Sequence, residues 1–123
     1  MSKSITEWAH DIYAVAASKG WHDNDHELSE GEKIAAYVAN LHSEPSELWE
    51  AYRAGKLRTP CDKAAKMADH GIMPLTCVEE ELADVIIRAI DVAVALGVDI
   101  EKAIAAKHAY NATRPHRHGG KLA

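Results

Sequence analysis

Three capping boxes, Ser4-x-x-Glu7, Ser29-x-x-Glu32 and Thr76-x-x-Glu79, each stand just before a run of apolar residues at helical spacing. In such a box the hydroxyl accepts from the N–H three residues on while the carboxylate reaches back, so two unpaired donors of a helix start are satisfied together. Each run closes on a glycine, Gly20, Gly55 or Gly97, which enters the left-handed C-terminal conformation at least cost. The pattern predicts helices over roughly residues 5 to 19, 30 to 54 and 77 to 96. Asp99 caps a fourth that reaches Arg114, where Pro115 ends it, and residues 56 to 75 read as a connection with one helical turn around Lys63 to Ala68.

Composition agrees with a helical core. Hydrophobic residues make up 47% of the chain, none of them Phe, and Ala, Ile, Val and Leu dominate. At 123 residues the chain is one domain, 1–123, large enough for a core but short for one subunit to build a whole active site. The expectation is an all-α bundle of four to five helices, completed by oligomerisation.

Other classes are disfavoured. The first nineteen residues carry Glu7, His10 and Asp11, and the longest apolar run, Val92 to Val98, is too short to span a bilayer, so a soluble, cytoplasmic protein is expected, with no membrane partner. Cys61 and Cys77 lack CxxC spacing, which favours two reduced thiols over a disulfide or a zinc site. A net charge of −5 argues against a nucleic-acid partner. Only Glu7-x-x-His10 has the ExxH spacing of di-iron bundles, which need two such motifs. The charge is uneven, however: after Glu101 come Lys102, Lys107, Arg114, Arg117 and Lys121 with no carboxylate, a stretch suited to a small anionic ligand.

Acidic residues recur at i, i+3 in Glu27/Glu30, Glu44/Glu47, Glu47/Glu50 and Glu81/Asp84, so spacing alone does not single out a site; setting does. On the second predicted helix Ile34, Val38, Leu41, Leu48 and Tyr52 form the expected buried stripe, and Glu44 lies on nearly the same face, with Glu47 at its edge and Glu50 farther round. Pro45 removes a backbone hydrogen bond and crowds the carbonyl of Leu41, so a kink or restart is expected there. The third predicted helix is apolar around most of its circumference, as expected of a helix mostly surrounded by protein, with Glu81, Asp84, Arg88 and Asp91 on one narrow stripe. That stripe is either a solvated edge with an Asp84–Arg88 ion pair or one half of a site facing Glu44 and Glu47.

The segments Ser43-Glu-Pro-Ser-Glu-Leu-Trp-Glu50 and Glu80-Glu-Leu-Ala-Asp-Val-Ile-Ile-Arg-Ala-Ile-Asp91 resemble the ExxE and ExxD motifs of MazG-like nucleoside triphosphate pyrophosphohydrolases. A third element, Lys107-x-x-x-Asn111-x-x-Arg114-Pro115 with a closing His118-Gly-Gly-Lys121, is similar to the C-terminal segment of the same superfamily. The resemblance covers about residues 5 to 121. It implies an all-α fold assembled as a homodimer or homotetramer, and hydrolysis of (deoxy)nucleoside triphosphates to monophosphate and pyrophosphate. Pro45 and the long stretch between Glu47 and Glu81 depart from the pattern, the latter suggesting a loop over the substrate.

Four carboxylates gathered between helices repel one another unless cations neutralise them, and all-oxygen ligands favour hard ions, Mg²⁺ with Mn²⁺ as a substitute. In this expectation Glu44, Glu47, Glu81 and Asp84 are metal ligands, and Glu47, or else Glu44, also accepts the proton of the water that attacks the α-phosphorus. Lys107, Asn111 and Arg114 share a helix face that would contact phosphate and sugar oxygens, and Trp21 offers a stacking face for a base. The alternatives are a phosphoribosyl-ATP pyrophosphohydrolase and a non-catalytic helical oligomer that binds a nucleotide or a protein.

Overall fold

The computed structural model describes residues 2–123, and among them the fold is all-helical with no strand. Helix α1 spans Ile5–Ser18, a single 3₁₀ turn covers Asp25–Glu27, α2 spans Glu30–Arg53, α3 Ala64–Asp69, α4 Cys77–Ala95 and α5 Ile100–Thr113. A last turn, Arg117–Gly120, includes His118 and Gly119 at positive φ. No helix among the described residues is long and apolar enough to cross a membrane.

All three capping boxes form, at α1, α2 and α4, with hydroxyl and carboxylate both bonded. Asp99 caps α5 by accepting from the Lys102 N–H. Gly20, Gly55 and Gly97 lie just past their helices with φ of +87°, +69° and +71°, where any side chain would be strained.

Helix α4 is the centre of the fold, packed along α2 and α1, while α5 leans on α1 and α4. Thr6 donates its hydroxyl to Glu101 at 2.9 Å, fastening the start of α1 to α5. The connection after α2 folds back on itself: the N–H of Cys61 donates to Leu75, that of Cys77 to Thr59 and that of Val78 to Leu57, each at 2.9 Å. These bonds bring the loop Leu57 to Cys77 to the start of α4, where Lys63 donates to the buried Glu80. Cys61 and Cys77 are both free thiols.

Three expectations need correction. Helix α2 runs unbroken through Pro45 instead of restarting. Pro45 is exposed, so water can serve the Leu41 carbonyl that lacks its helical donor. The inward face of α2 is Lys33, Tyr37, Leu41, Glu44, Leu48 and Ala51, whereas Ile34, Val38 and Tyr52 of the expected buried stripe are exposed. Helix α4 is likewise inverted relative to an ordinary amphipathic helix. Its polar stripe Glu81, Asp84, Arg88 and Asp91 is partly buried, while Leu82, Ile86 and Ile87 are exposed, so α4 is less surrounded by protein than expected. Among the described residues only Ala9, Cys61, Ile90 and Ala93 are buried apolar residues, and none of them is fully buried.

Candidate metal centre

The inverted facing of α4 brings its acids against α2. One carboxylate oxygen from each of Glu44, Glu81 and Asp84 lies within 4.8 Å of the others. Glu44 retains only 5% of its exposure although it sits on the longest helix of a small protein. Its Oε1 accepts from Arg88 Nε at 3.0 Å, but its Oε2 is buried without a partner, as is Oε2 of Glu81. Two buried carboxylate oxygens with no donor are costly in a folded protein, and they converge on a third carboxylate. An all-oxygen set with orphaned acceptors fits a hard divalent cation, which supplies the missing positive charge.

Protonation answers the same electrostatic problem when no cation is bound. Burial first, then the neighbouring carboxylates led by Glu47, push Glu81 up to about 7. Burial also raises Asp84, helped by Glu44 and Glu80 and opposed by Lys63.

Glu47 stands apart from the other three. It is exposed and meets Glu81 from a second cavity of about 600 Å³, lined also by Lys56, Thr59, Lys63 and Glu80. Lys63 is held above its usual range, chiefly by its hydrogen bond to Glu80. The loop after α2 thus lies beside the acids, and it carries the cations Lys56 and Lys63. Glu50 is an exposed acid paired with Arg53 at 3.1 Å.

On the other side of the acids lies a cavity of about 510 Å³, with Glu44, Asp84, Arg88 and Asp91 on one wall and Trp8, Ile12, Val15 and Trp21 among the rest of its lining. The Arg88 guanidinium lies 5.7 Å from the centre of the Trp21 ring, a cation–π contact. The Asp84–Arg88 ion pair of the solvated-edge alternative is absent among the described residues, because Arg88 turns across the helix interface to Glu44. Lys107, Asn111 and Arg114 share an exposed or half-exposed face of α5 and line neither cavity; Lys107 and Arg114 flank the Tyr110 ring at 5.0 and 5.9 Å.

Sequence reasoning passed over one element of the site region, His22, whose ring is bracketed by Asp25 and Asp91. Local spacing offers only its i, i+3 neighbour Asp25, since Asp91 lies 69 residues away. Arg88 was visible as a member of the acidic stripe, but its partner Glu44 was not.

The chain matches no family model, no curated protein and no solved structure with which it was compared.

Proposed function

We propose that the protein is a metal-dependent hydrolase that converts (deoxy)nucleoside triphosphates to the monophosphate and pyrophosphate, cleaning or recycling the nucleotide pool. The observation that carries this reading is the convergence of Glu44, Glu81 and Asp84, with two orphaned buried oxygens, between two cavities that both carry lysines, Lys3 and Lys19 in the one with Trp8 and Trp21, Lys56 and Lys63 in the other.

In this reading Glu44, Glu81 and Asp84 hold the cation, Mg²⁺ with Mn²⁺ as a substitute. When bound, such an ion neutralises the phosphate charge, lowers the pKa of water and stabilises the pyrophosphate leaving group. Glu47, exposed beside Glu81, accepts the proton as a water oxygen bonds to the α-phosphorus; the bond from that phosphorus to the bridging oxygen breaks, and pyrophosphate departs with its electron pair. Trp21 stacks on the base, with Arg88 on its other side holding Glu44 in place. Lys56 and Lys63 face the cavity on the Glu47 side, where they balance phosphate charge.

Subunit assembly belongs to the same proposal. Four buried apolar side chains do not hold 123 residues together, and Ile34 and Val38 of α2 with Leu82, Ile86 and Ile87 of α4 are open to be covered. A homodimer or homotetramer that buries these faces also lets Lys107, Asn111 and Arg114 of one subunit approach the phosphates held by another. Ile86→Glu is expected to shift the sedimentation coefficient to that of the monomer and to lower the Tm. A variant that sediments like the wild type would remove the α4 outer face from the interface.

The reaction is tested by incubating the protein with each of the eight common ribo- and deoxyribonucleoside triphosphates and Mg²⁺, and following monophosphate and pyrophosphate. Release of both in equal amounts, abolished by EDTA, is expected. Orthophosphate with diphosphate would mean attack at the γ-phosphorus and overturn the assignment. No release by a folded oligomer would favour phosphoribosyl-ATP as the substrate or the non-catalytic reading.

A further inference from the structure

The segment Lys19 to Ser29 carries Trp21 to the lining of the aromatic cavity, and its backbone is fastened at its two ends only, where the Trp21 N–H donates to Ala16 of α1 and Ser29 joins α2. Its backbone hydrogen bonds run to Val15, Ala16 or Ala17 at the end of α1, stay within the segment, as from Asp25 to His22 and from Leu28 to Asp25, or join Ser29 to Glu32 and Lys33 in the first turn of α2, and none reaches α4. Only His22, Asp25 and Leu28 in it are less than exposed. Its placement against α4 therefore rests on side chains.

His22 supplies most of that attachment. Its Nε2 lies 3.0 Å from both carboxylate oxygens of Asp91 on α4, and its Nδ1 lies 2.7 Å from Asp25 Oδ2. Asp25 in turn accepts from the Tyr37 hydroxyl of α2, and the Tyr13 ring of α1 stacks on the imidazole with centroids 4.6 Å apart. The His22 side chain keeps only 7% of its exposure. An ionised carboxylate only accepts, so both ring nitrogens must carry a proton to satisfy Asp25 and Asp91 at once.

We propose that His22, as an imidazolium, is a positioning residue that locks the segment Lys19 to Ser29, and with it the Trp21 wall of the cavity, onto α2 and α4. The lock stands on the geometry alone; its consequence for nucleotide binding rests on the function proposed above.

The groups facing the ring explain its charge. Burial disfavours the imidazolium, but its hydrogen bonds to Asp91 and Asp25, with their charges, outweigh it, so His22 titrates above the ordinary 6.5. Asp25 is held below its usual range because its bonds from Tyr37 and His22, with the charge of Lys33, overcome its own burial. Tyr37 is raised by burial and by Asp25 and stays a neutral donor. A raised folded-state value means that the lock stabilises in full below about 6.5 and is lost as pH rises through that higher value.

The test has two readouts. Imidazole ¹⁵N spectra of the wild type should show His22 keeping both N–H groups to a higher pH than the exposed histidines; a His22 that loses one with them or before them overturns the proposal. With Trp8→Phe and Trp49→Phe leaving Trp21 as the single tryptophan, His22→Asn should at least double the amplitude of fast Trp21 depolarisation while far-UV circular dichroism stays unchanged. Unaltered Trp21 motion overturns the positioning role. For the preferred nucleotide, His22→Asn should raise KM roughly tenfold with kcat within about twofold, the signature of a lost binding wall. An equal fall in kcat with KM unmoved overturns the link to binding, whereas a wild type that hydrolyses nothing sinks the proposed function and leaves the spectroscopic test standing.

Discussion

Glu81→Gln is expected to lower monophosphate release by roughly a thousandfold while making the metal-free protein more stable. The two effects share one cause. Glu81 is partly buried beside Glu47, Glu80 and Asp84, and this crowding raises it to about 7. A carboxyl whose folded-state value lies above its unfolded value near 4.5 contributes stability below that lower value and loses it as pH rises through about 7. Asp84 is shifted in the same direction. The metal-free wild type should therefore melt at a lower temperature at pH 8 than at pH 5, to the extent that these two acids govern it. Glu81→Gln keeps the size of the side chain but removes the charge, so its advantage in EDTA should widen over that interval.

Mg²⁺ should reverse the ranking. A cation that binds only the folded state stabilises it in proportion to its occupancy, and Gln is a weaker ligand than an ionised Glu. Thermal melts at pH 8 in EDTA and in excess Mg²⁺ check the point. If Glu81→Gln melts below the wild type in EDTA, Glu81 is a structural acid and the metal centre is wrongly assigned. If it melts higher in EDTA yet hydrolyses nucleotides normally, the acids bind metal without serving the reaction.

Arg88→Met is expected to destabilise the metal-free protein by roughly 2 kcal/mol and to cost much less in Mg²⁺. Among the described residues Arg88 Nε is the one side-chain donor that reaches Glu44, whose side chain keeps 7% of its exposure. Removing one member of a fully buried pair costs roughly 3–5 kcal/mol because a naked charge is left behind. Arg88 itself is 37% exposed, so water can partly take its place and the lower figure applies. A divalent ion at Glu44 supplies the lost positive charge. Urea unfolding in EDTA and in Mg²⁺ measures both numbers, and an equal loss in the two conditions would mean that Arg88 stabilises by packing on Trp21 and not by balancing Glu44.

Much of the fold was legible in the chain because helix boundaries are local events. A hydroxyl and a carboxylate three residues apart satisfy backbone donors whatever lies around them, and Gly20, Gly55 and Gly97 end helices because only glycine enters the left-handed region without strain. The candidate site was legible in part for the same reason. Glu44 stood out as an acid on an apolar face, and Glu81 and Asp84 as acids on an otherwise apolar helix, and these three are the residues whose oxygens converge.

What the sequence could not determine was which side of each helix faces inward. Periodicity places Ile34, Val38, Leu82 and Ile86 on stripes, and the usual inference turns apolar stripes toward the core of the same chain. In this fold the packing of α2 on α4 turns their acids toward each other and leaves much of the apolar surface outside. The choice of Glu44 over Asp84 as the partner of Arg88, the bracketing of His22 by Asp25 and Asp91, and the burial of Glu80 beneath Lys63 depend on the same packing. The chain alone determined where helices begin and end, because capping uses neighbours within four residues. Only the tertiary structure decided which charges meet, because a carboxylate's partner is set by the approach of a second helix, and no local spacing encodes that approach.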